Sequence, residues 1–289
     1  MFSASNAATL LCMPLHLQAQ RPPSRSSRIC IRLVLLLPAL MSLCSAAWSN
    51  TPVSFKDGEE FLFRVSWGIF RNAGEIAINA REETVAGLPQ IRLTTQTETK
   101  GFVRNLYFFE GVVVSIFDRD DGRLLAATAT TSMKKKKTHA MAVFDYAGGR
   151  VLYEDFLRPE RSANIPIPEG QPKDLITSLI EARTWDLKVG DRRPVTVMFD
   201  DEFYDLVLVA ERIEEVDTPL GRGPALVVKP VMEQSPKGMF KRGGTVRVWI
   251  SQDEKRLPVK LEVSLKYGTG VATLIHYRPP TTAVALLGD

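Results

Sequence analysis

Alternation of apolar and polar residues with a period of two constrains the fold of this chain more than any other feature. In the first such run, the side chains of one face are Phe61, Phe63, Val65, Trp67 and Ile69. Successive side chains of a β-strand point to opposite faces, so this run predicts a strand with one buried side. Residues 74–81 alternate in the same way, and the break at residues 70–73 predicts the turn of a hairpin.

Further runs predict a long series of antiparallel strands. The alternating runs are residues 91–98, 246–250, 257–265 and 271–277. In the last of them we expect Val271, Thr273, Ile275 and Tyr277 to share one face. Residues 106–117 are apolar on both faces, which predicts a strand that crosses the middle of the sheet.

One segment alone has helical spacing. Asp174 is a suitable N-cap, and apolar residues then recur at helical spacing to about residue 184. The dominance of strands excludes alternating βαβ architectures and therefore Rossmann-type cofactor folds. We predict a mainly β fold: a large curved antiparallel sheet, half-barrel or barrel-like, of about a dozen strands with one substantial helix.

The first 47 residues have the composition of an export signal. Residues 1–32 contain four arginines and no acidic residue, an apolar run follows at residues 33–41, and small residues precede Ala47. This order predicts a secretory signal cut at Ala47–Trp48. A retained anchor is the alternative, although the uncharged stretch is shorter than the ~20 residues of a spanning helix. Because the basic region is long, translation could begin at Met13 instead of Met1.

Cleavage would remove every cysteine and change the net charge. Cys12, Cys30 and Cys44 all lie in the leader, so the mature chain has no disulfide or thiolate chemistry, which suits an oxidising periplasm. The chain has 37 Lys+Arg against 33 Asp+Glu, and the four leader arginines account for the difference. A formally neutral mature protein argues against nucleic-acid binding. We divide the chain into a signal peptide (1–47), a linker (48–57), one β-rich domain (58–280) and a loose tail (281–289).

Several segments resemble segments of known bacterial proteins: residues 58–68, 73–74, 106–107, 174–179, 187–191, 248–251 and 256–259. Together they are similar to a family of bacterial exported proteins, the domain-of-unknown-function family DUF3108. The resemblance extends over roughly residues 55–279. It implies an exported, predominantly β envelope protein, and it implies no catalytic residue, because the family has no established reaction.

The mature chain has no recognisable catalytic or metal-binding motif. Its two histidines, His139 and His276, lack the spacing to Cys, His or Glu that zinc sites need. Nucleophile elbows and Walker loops are also absent from the sequence. We therefore predict no catalytic residue, no metal and no cofactor. Acidic residues 200–202 and Asp205 lie where a hairpin must turn, so we expect them to be solvated instead of forming a metal site.

Two basic segments are candidates for contact with anions or an anionic membrane surface. In the first, four consecutive lysines would occupy both faces of a strand, so part of the run must be a loop or an exposed edge, where lysine discourages aggregation. The alternative is contact with phosphates or headgroups. The second places two apolar residues between cations, which suits shallow membrane docking, unless the apolar pair packs back on the sheet. The residues are Lys134, Lys135, Lys136 and Lys137, and Lys237, Met239, Phe240, Lys241 and Arg242.

Aromatic residues are expected on the concave face of the sheet. An aromatic stripe is usually core, but a curved sheet with one helix has little else to fill its concave side. An unfilled apolar concavity is the default binding site in such a structure. The candidate ligand-binding residues are Phe61, Phe63, Trp67, Phe109 and Phe117.

Three functions remain open from the sequence. The first is a periplasmic binding or carrier module for an apolar or amphiphilic envelope molecule, such as a lipid or a lipid-linked glycan. The second is a structural or interaction protein that pairs with an unidentified protein partner through exposed strand edges. The third is a hydrolase, which would need carboxylates clustered around His139 or His276.

Overall fold

The computed structural model describes residues 53–134, 136–234, 240, 243–265 and 268–281. Within them, fourteen strands form one antiparallel sheet. The strands are β1 (Glu60–Trp67), β2 (Phe70–Val85), β3 (Leu88–Thr99), β4 (Phe109–Asp118), β5 (Leu124–Met133), β6 (Lys137–Asp145), β7 (Arg150–Asp155), β8 (Ala163–Pro166), β9 (Arg192–Phe199), β10 (Glu202–Thr218), β11 (Gly221–Val231), β12 (Thr245–Ser251), β13 (Pro258–Leu265) and β14 (Gly268–Arg278). The helices are α1 (Gly101–Leu106) and α2 (Leu175–Glu181), with 3₁₀ turns at Pro159–Arg161 and Ala182–Thr184. The predicted signal peptide (1–47) lies outside the described residues, as do residues 282–289 of the predicted tail.

The sheet consists of two meanders joined side by side. Its strand order runs from β8 down to β1 and continues from β14 down to β9. The first half of the chain therefore forms β1 to β8 from the centre of the sheet to one edge, and the segment that contains α2 connects β8 to β9 at the other edge. The second half then forms β9 to β14 back toward the centre, where β14 pairs with β1. The two edges, β8 and β9, are consecutive in sequence, and the sheet is not closed into a barrel. The prediction of a mainly β fold with a large curved antiparallel sheet is confirmed.

The sheet curls until its two ends approach each other. Phe144 of β6 meets Phe203 of β10 with ring centroids 6.5 Å apart. Arg161 Nη2, in the connection from β7 to β8, lies 2.9 Å from Asp201 Oδ1 in the β9–β10 turn. These contacts join elements from opposite halves of the sheet, so they form a seam of side chains where a closed barrel would have a ladder of backbone hydrogen bonds.

Helix α2 lies inside the curl. Its Leu179 and Ile180 are buried in a core that includes inward-facing residues of both meanders. The helix begins where the sequence predicts, because the Asp174 carboxylate accepts a hydrogen bond from Thr177 N at 2.8 Å. The chain then tightens into the 3₁₀ turn Ala182–Thr184. The helix therefore fills part of the concave side.

We expect Asp174→Ala to lower the free energy of unfolding by about 1–2 kcal/mol, because the variant loses the N-cap of α2. It also loses the hydrogen bond that Ser115 Oγ donates to Asp174 Oδ2 at 3.2 Å. Urea denaturation measures the change, with the exposed Asp217→Ala of β10 as control. Equal stabilities of the two variants would contradict the capping role.

Two local predictions are wrong: the position of the β1–β2 turn and the start of β4. The turn between β1 and β2 is Gly68–Ile69, with Gly68 at a φ of 55°, and β2 already begins at Phe70. A two-residue hairpin favours glycine at such a position, and it turns Ile69 outward. The strand predicted over residues 106–117 begins only at Phe109, because the short helix α1 precedes it. Six residues are too few for helical periodicity to show in the sequence.

The inward face of β14 also differs from the prediction. Ala272 and Leu274 are buried, whereas Thr273 and Ile275 are only partly covered. The register explains this change, because Phe63 of β1 pairs with Leu274 but the preceding residue pairs with His276. Ile275 is thus the extra residue of a β-bulge, which reverses the alternation so that Tyr277 faces inward again.

Candidate functional site

The strand order brings several connections together at one end of the sheet. Because neighbouring strands are antiparallel, the connections that follow β1, β3, β5, β7, β9, β11 and β13 all lie at the same end. We call this end the α1 rim, since α1 forms the connection from β3 to β4. Residues far apart in the sequence therefore become neighbours at this rim.

Beneath α1 lies a cavity of about 220 Å³, which we call the apolar cavity. Its walls come from both meanders and from the first turns of α2, and most of its lining side chains are apolar. Representative lining residues are Trp67, Phe70, Val103, Leu106, Ile176 and Val263. The cavity exists because α2 covers only part of the concave side, and α1 closes the space from above.

Apolar side chains are exposed on the α1 rim beside this cavity. Ile69 in the β1–β2 turn is 89% exposed, and Phe102 and Leu106 of α1 are 61% and 56% exposed. Phe70 stacks on Phe102 with ring centroids 5.8 Å apart, so the turn and α1 share one apolar patch. Leu106 belongs both to this patch and to the cavity wall. The cavity therefore lies directly beneath an exposed apolar surface, a feature typical of interaction or ligand sites.

A second cavity of about 130 Å³, which we call the polar cavity, adjoins the first. Leu175 and Ile176 line both cavities, so the first turn of α2 separates them. The other walls of the polar cavity come from β3 to β7 and from the end of β9. Hydroxyl and carboxylate groups are more frequent here than in the apolar cavity. The concave side thus offers adjoining spaces of different polarity.

Charged side chains hold the seam closed next to the polar cavity. Arg161 spans the seam, with its Nη2 2.9 Å from Asp201 Oδ1 and 3.6 Å from Asp200 Oδ2. On the β7 side, Arg158 Nη2 lies 2.8 Å from Oδ2 of the fully buried Asp155. Burial raises the pKa of Asp200 to about 6, although the charge of Arg161 opposes the shift. The hairpin turn predicted at these acidic residues is confirmed, but the expected solvation is wrong for Asp200, whose side chain is only 16% exposed.

A third and wider cleft of about 990 Å³ runs along β9 and β10. Three of its charged side chains have partners within the fold. Lys173 Nζ and Glu181 Oε1 form a buried ion pair at 2.5 Å, and the Arg193 guanidinium lies 4.2 Å from the centre of the Trp185 ring. The cleft is therefore a less suitable site for an apolar ligand than the cavity beneath α1.

The structure separates the five aromatic residues predicted to bind a ligand. Phe61, Phe63, Phe109 and Phe117 are all buried, and none of them lines any of these three cavities. Phe61 stacks on Phe63, with ring centroids 6.4 Å apart. Phe61, Phe63 and Phe117 belong to the same core as Leu179 and Ile180 of α2, and Phe109 is fully buried as well. Trp67, at the end of β1, is the member of the set that lines the apolar cavity.

Lys134 and Lys136 lie in the connection between β5 and β6, as the loop alternative predicts, and Lys137 begins β6, which is not an edge strand. Met133 N donates to Lys136 O at 2.8 Å, which closes the turn between β5 and β6, and both strands have neighbours on each side. Lys134 and Lys137 are exposed, whereas Lys136 is half-buried. Burial and the nearby Arg158 charge lower the pKa of Lys136. Lys135 lies outside the described residues.

Four residues of the second basic segment lie outside the described residues: Lys237, Met239, Lys241 and Arg242. Phe240 is half-buried, and its carbonyl oxygen accepts a hydrogen bond from Gly243 N at 3.1 Å. The flanking strands β11 and β12 end and begin at the α1 rim. The predicted contact of this segment with a membrane therefore stays a prediction.

Neither histidine lines any of the three cavities described above. His139 is exposed and packs against Phe156, with ring centroids 4.7 Å apart, and His276 is exposed on β14. Over the described part of the chain, no cluster of three or more His, Cys, Asp or Glu is arranged to hold a metal ion. Across the same residues, none of the helices has the length and apolar character to span a membrane.

Sequence reasoning missed the residues that shape the two cavities. Val103 and Leu106 of α1 form the roof of the apolar cavity, and the sequence carries no signal for them because six residues are too few for helical periodicity to show. Thr131 and Thr138 were missed because an inward threonine in an alternating strand has the same pattern as an outward one. Their position became clear only from the pairing of β5 with β6.

A family model described as a protein of unknown function (DUF3108) matches residues 62–275. The chain belongs to the DUF3108 family. The match runs from β1 to β14, so the resemblance found in the sequence is confirmed and includes both cavities of this DUF3108 protein. No curated protein matches the chain.

Solved structures support the fold of the DUF3108 chain and no more than the fold. A β-barrel-like protein of the domain of unknown function DUF1849 from Brucella abortus is 7% identical, with a TM-score of 0.51 over 78% of this chain and 100% of that chain. A protein described as a lipoprotein from Parabacteroides distasonis is 10% identical, with a TM-score of 0.32 over 79% and 98% of the two chains. An exported protein with a YmcC-like fold from Bacteroides fragilis is also 10% identical, with a TM-score of 0.33 over 78% and 97%. The last two scores are too low to carry an argument.

Proposed function

We propose that this DUF3108 protein is a non-catalytic binding or carrier module of the periplasm, which holds the apolar part of a lipid or lipid-linked glycan in the apolar cavity. The observation that supports this function is the apolar cavity itself, which lies beneath an exposed apolar surface at the α1 rim. Ligand sites in proteins are concave, mostly apolar and largely preformed. The cavity has these properties without any recognisable catalytic group in its walls.

The apolar lining supports the same function. Most side chains that border the cavity are apolar, so water inside it would find few hydrogen-bond partners. An apolar ligand that replaces this water would bury apolar surface, which is a main driving force of such binding.

The α1 rim is suited to loading at a membrane surface. Ile69, Phe102 and Leu106 offer apolar side chains for shallow insertion. Lys134 and Lys137 are exposed in the β5–β6 turn of the same rim, where they would meet anionic headgroups. Apolar insertion combined with basic residues is the usual arrangement for reversible binding at a membrane interface. We therefore propose an anionic membrane surface as the place where ligand is collected or delivered.

Export to the periplasm is part of the proposal. It is supported by the order of basic, apolar and small residues in the first 47 residues of the sequence. The confinement of all three cysteines to that leader agrees with an oxidising compartment.

Pairing with a protein partner through free strand edges, the second function considered, finds little support. Edge strand β8 has four residues and ends at Pro166. On the outer side of β9, Lys173 N donates to Thr196 O at 3.1 Å and Lys173 O accepts from Met198 N at 2.8 Å. Farther along β9, Pro194 has no backbone N–H and therefore cannot donate a hydrogen bond to an added strand. Both edges are thus short or covered, which is how proteins prevent strand addition.

Filling the apolar cavity should abolish ligand binding. We expect Val263→Phe to weaken binding of the probe 1-monodecanoylglycerol by about tenfold or more, because the added ring occupies the space of the acyl chain. Isothermal titration calorimetry measures the affinity, and a negative heat-capacity change would report burial of apolar surface. The matched control is Val112→Phe, which adds the same ring to the exposed face of β4.

Unfolding experiments on the same variants show whether the added ring enters open space or overpacks a filled core. Overpacking a filled core costs about 1–3 kcal/mol, whereas a ring that enters open space should leave stability unchanged or higher. The proposal would be overturned by a wild-type protein that fails to bind the probe, or by Val263→Phe binding it as well as Val112→Phe does.

A further inference from the structure

The polar cavity contains an unusual concentration of unsatisfied polar atoms. Thr131 Oγ1, Thr138 Oγ1, Tyr153 Oη and Asp200 Oδ2 are each buried without a hydrogen-bond partner, and all four residues line this cavity. Most buried polar groups in proteins are hydrogen-bonded, and each exception carries a desolvation cost. Four such atoms around one small space indicate that a group absent from the folded chain satisfies them.

The backbone positions these atoms firmly. Thr131 of β5 and Thr138 of β6 are direct cross-strand partners, so their hydroxyls lie side by side on the concave face. Tyr153 lies on the adjacent strand β7. Asp200 reaches the same space from the β9–β10 turn on the other side of the seam. Three neighbouring strands and the opposite end of the sheet therefore form one preorganised polar site.

The chemistry of the site selects a neutral group that carries hydroxyls. A hydroxyl both donates and accepts hydrogen bonds, so it can satisfy the Thr and Tyr oxygens, and it can donate to the Asp200 carboxylate. A cation is disfavoured by the neighbouring Arg158 and Arg161, and an anion by the Asp200 carboxylate. Burial raises the pKa of Asp200, which shows that its interactions within the fold do not compensate fully for its loss of water.

We propose that the polar cavity binds the hydroxyl-bearing head group, a glycerol or sugar, of the amphiphile whose apolar part occupies the apolar cavity. This inference rests on the proposed function and names the class of ligand for it. The two cavities share Leu175 and Ile176 in their walls and therefore adjoin. The proposal requires one molecule to extend from one cavity into the other past the first turn of α2. The apolar cavity supplies affinity, and the polar cavity selects hydroxylated lipids over simple acyl chains.

The test compares two probes that differ in the head group. Wild-type protein should bind 1-monodecanoylglycerol about tenfold more tightly than methyl decanoate, because the ester without free hydroxyls leaves the polar atoms unsatisfied. Thr131→Val/Thr138→Val should remove this preference and leave the affinity for methyl decanoate within about twofold, since valine has nearly the shape of threonine. Thr130→Val, on the exposed face of β5, is the matched control. Isothermal titration calorimetry measures all affinities.

Each outcome decides between the two proposals. Equal affinity of the wild type for both probes, or an unchanged preference in the double variant, would show that only ordered water occupies the polar cavity and would overturn this inference alone. Failure of the wild type to bind either probe would overturn the proposed function as well. If the double variant does not fold, Tyr153→Phe replaces it, with an expected loss of about threefold in the preference.

Discussion

Glu59→Ala is expected to lower the free energy of unfolding by about 3–5 kcal/mol, because it leaves a buried guanidinium without its carboxylate. Glu59 Oε1 and Oε2 accept hydrogen bonds from Arg183 Nη1 and Nη2, each at 2.7 Å. Tyr277 Oη donates a third, to Oε1 at 2.9 Å. Both charged side chains are buried, so water cannot replace the lost partner.

The effect should be large because this ion pair joins three distant parts of the chain. Arg183 lies in the 3₁₀ turn after α2, Glu59 precedes β1, and Tyr277 is near the end of β14. The guanidinium also lies over the rings of Phe55 and Phe61, at 5.4 and 5.2 Å from their centres. Removal of one charge therefore loosens α2 from the centre of the sheet, where the two meanders meet.

Urea denaturation of matched variants tests this prediction. Glu60→Ala is the control, because the Glu60 carboxylate pairs with two exposed arginines, Arg81 and Arg278. Ion pairs of exposed side chains contribute about 0–1 kcal/mol to stability. Glu59→Leu/Arg183→Met should recover much of the loss, since it removes both charges together. Equal costs for Glu59→Ala and Glu60→Ala would show that the buried pair has no special weight.

Asp200→Asn is expected to stabilise the protein above about pH 6 by about 1–3 kcal/mol and to have little effect below about pH 4. Burial raises the pKa of Asp200 to about 6 in the folded protein, whereas the unfolded value is near 4. The folded state thus binds more protons than the unfolded state between these pH values. Wild-type stability from this group falls as the pH rises through that window, and the neutral amide avoids the loss.

The variant should keep the local geometry. Asp200 has a φ of 52°, a conformation that asparagine tolerates well. Arg161 retains its contact with Asp201 at 2.9 Å. The other groups that act on Asp200 are Asp201, whose negative charge raises the pKa of Asp200, and Lys136 and Arg158, whose positive charges favour the carboxylate. If these cations outweighed burial, the variant would be less stable than the wild type at neutral pH.

The measurement is the difference in unfolding free energy between variant and wild type, determined by urea denaturation at several pH values from 4 to 8. The exposed Asp217→Asn is the control for changes in net charge. A difference for Asp200→Asn that does not grow between pH 4 and pH 6 would contradict the assigned burial of this carboxylate.

Local patterns in the sequence were sufficient for most elements of the fold. Period-two alternation predicted inward residues such as Phe63, Ile76 and Val248, all buried in the core. The Asp174 cap and the apolar spacing after it predicted α2. These signals are reliable because each depends on neighbours within one turn or one strand. Irregular positions were missed for the same reason: the bulge at Ile275 leaves no signal in its own strand and became visible only from its pairing with β1.

The sequence by itself determined a mainly β chain with one capped helix and membership of the DUF3108 family. Only the tertiary structure decided which inward residues pack as core and which border empty space, because that depends on how far the sheet curls and where α2 lies. Phe61 and Trp67 show the difference, since both lie on the inward face of β1, yet one is core and the other lines a cavity. Pairing across strands likewise brought Thr131 beside Thr138, a contact that no local pattern contains.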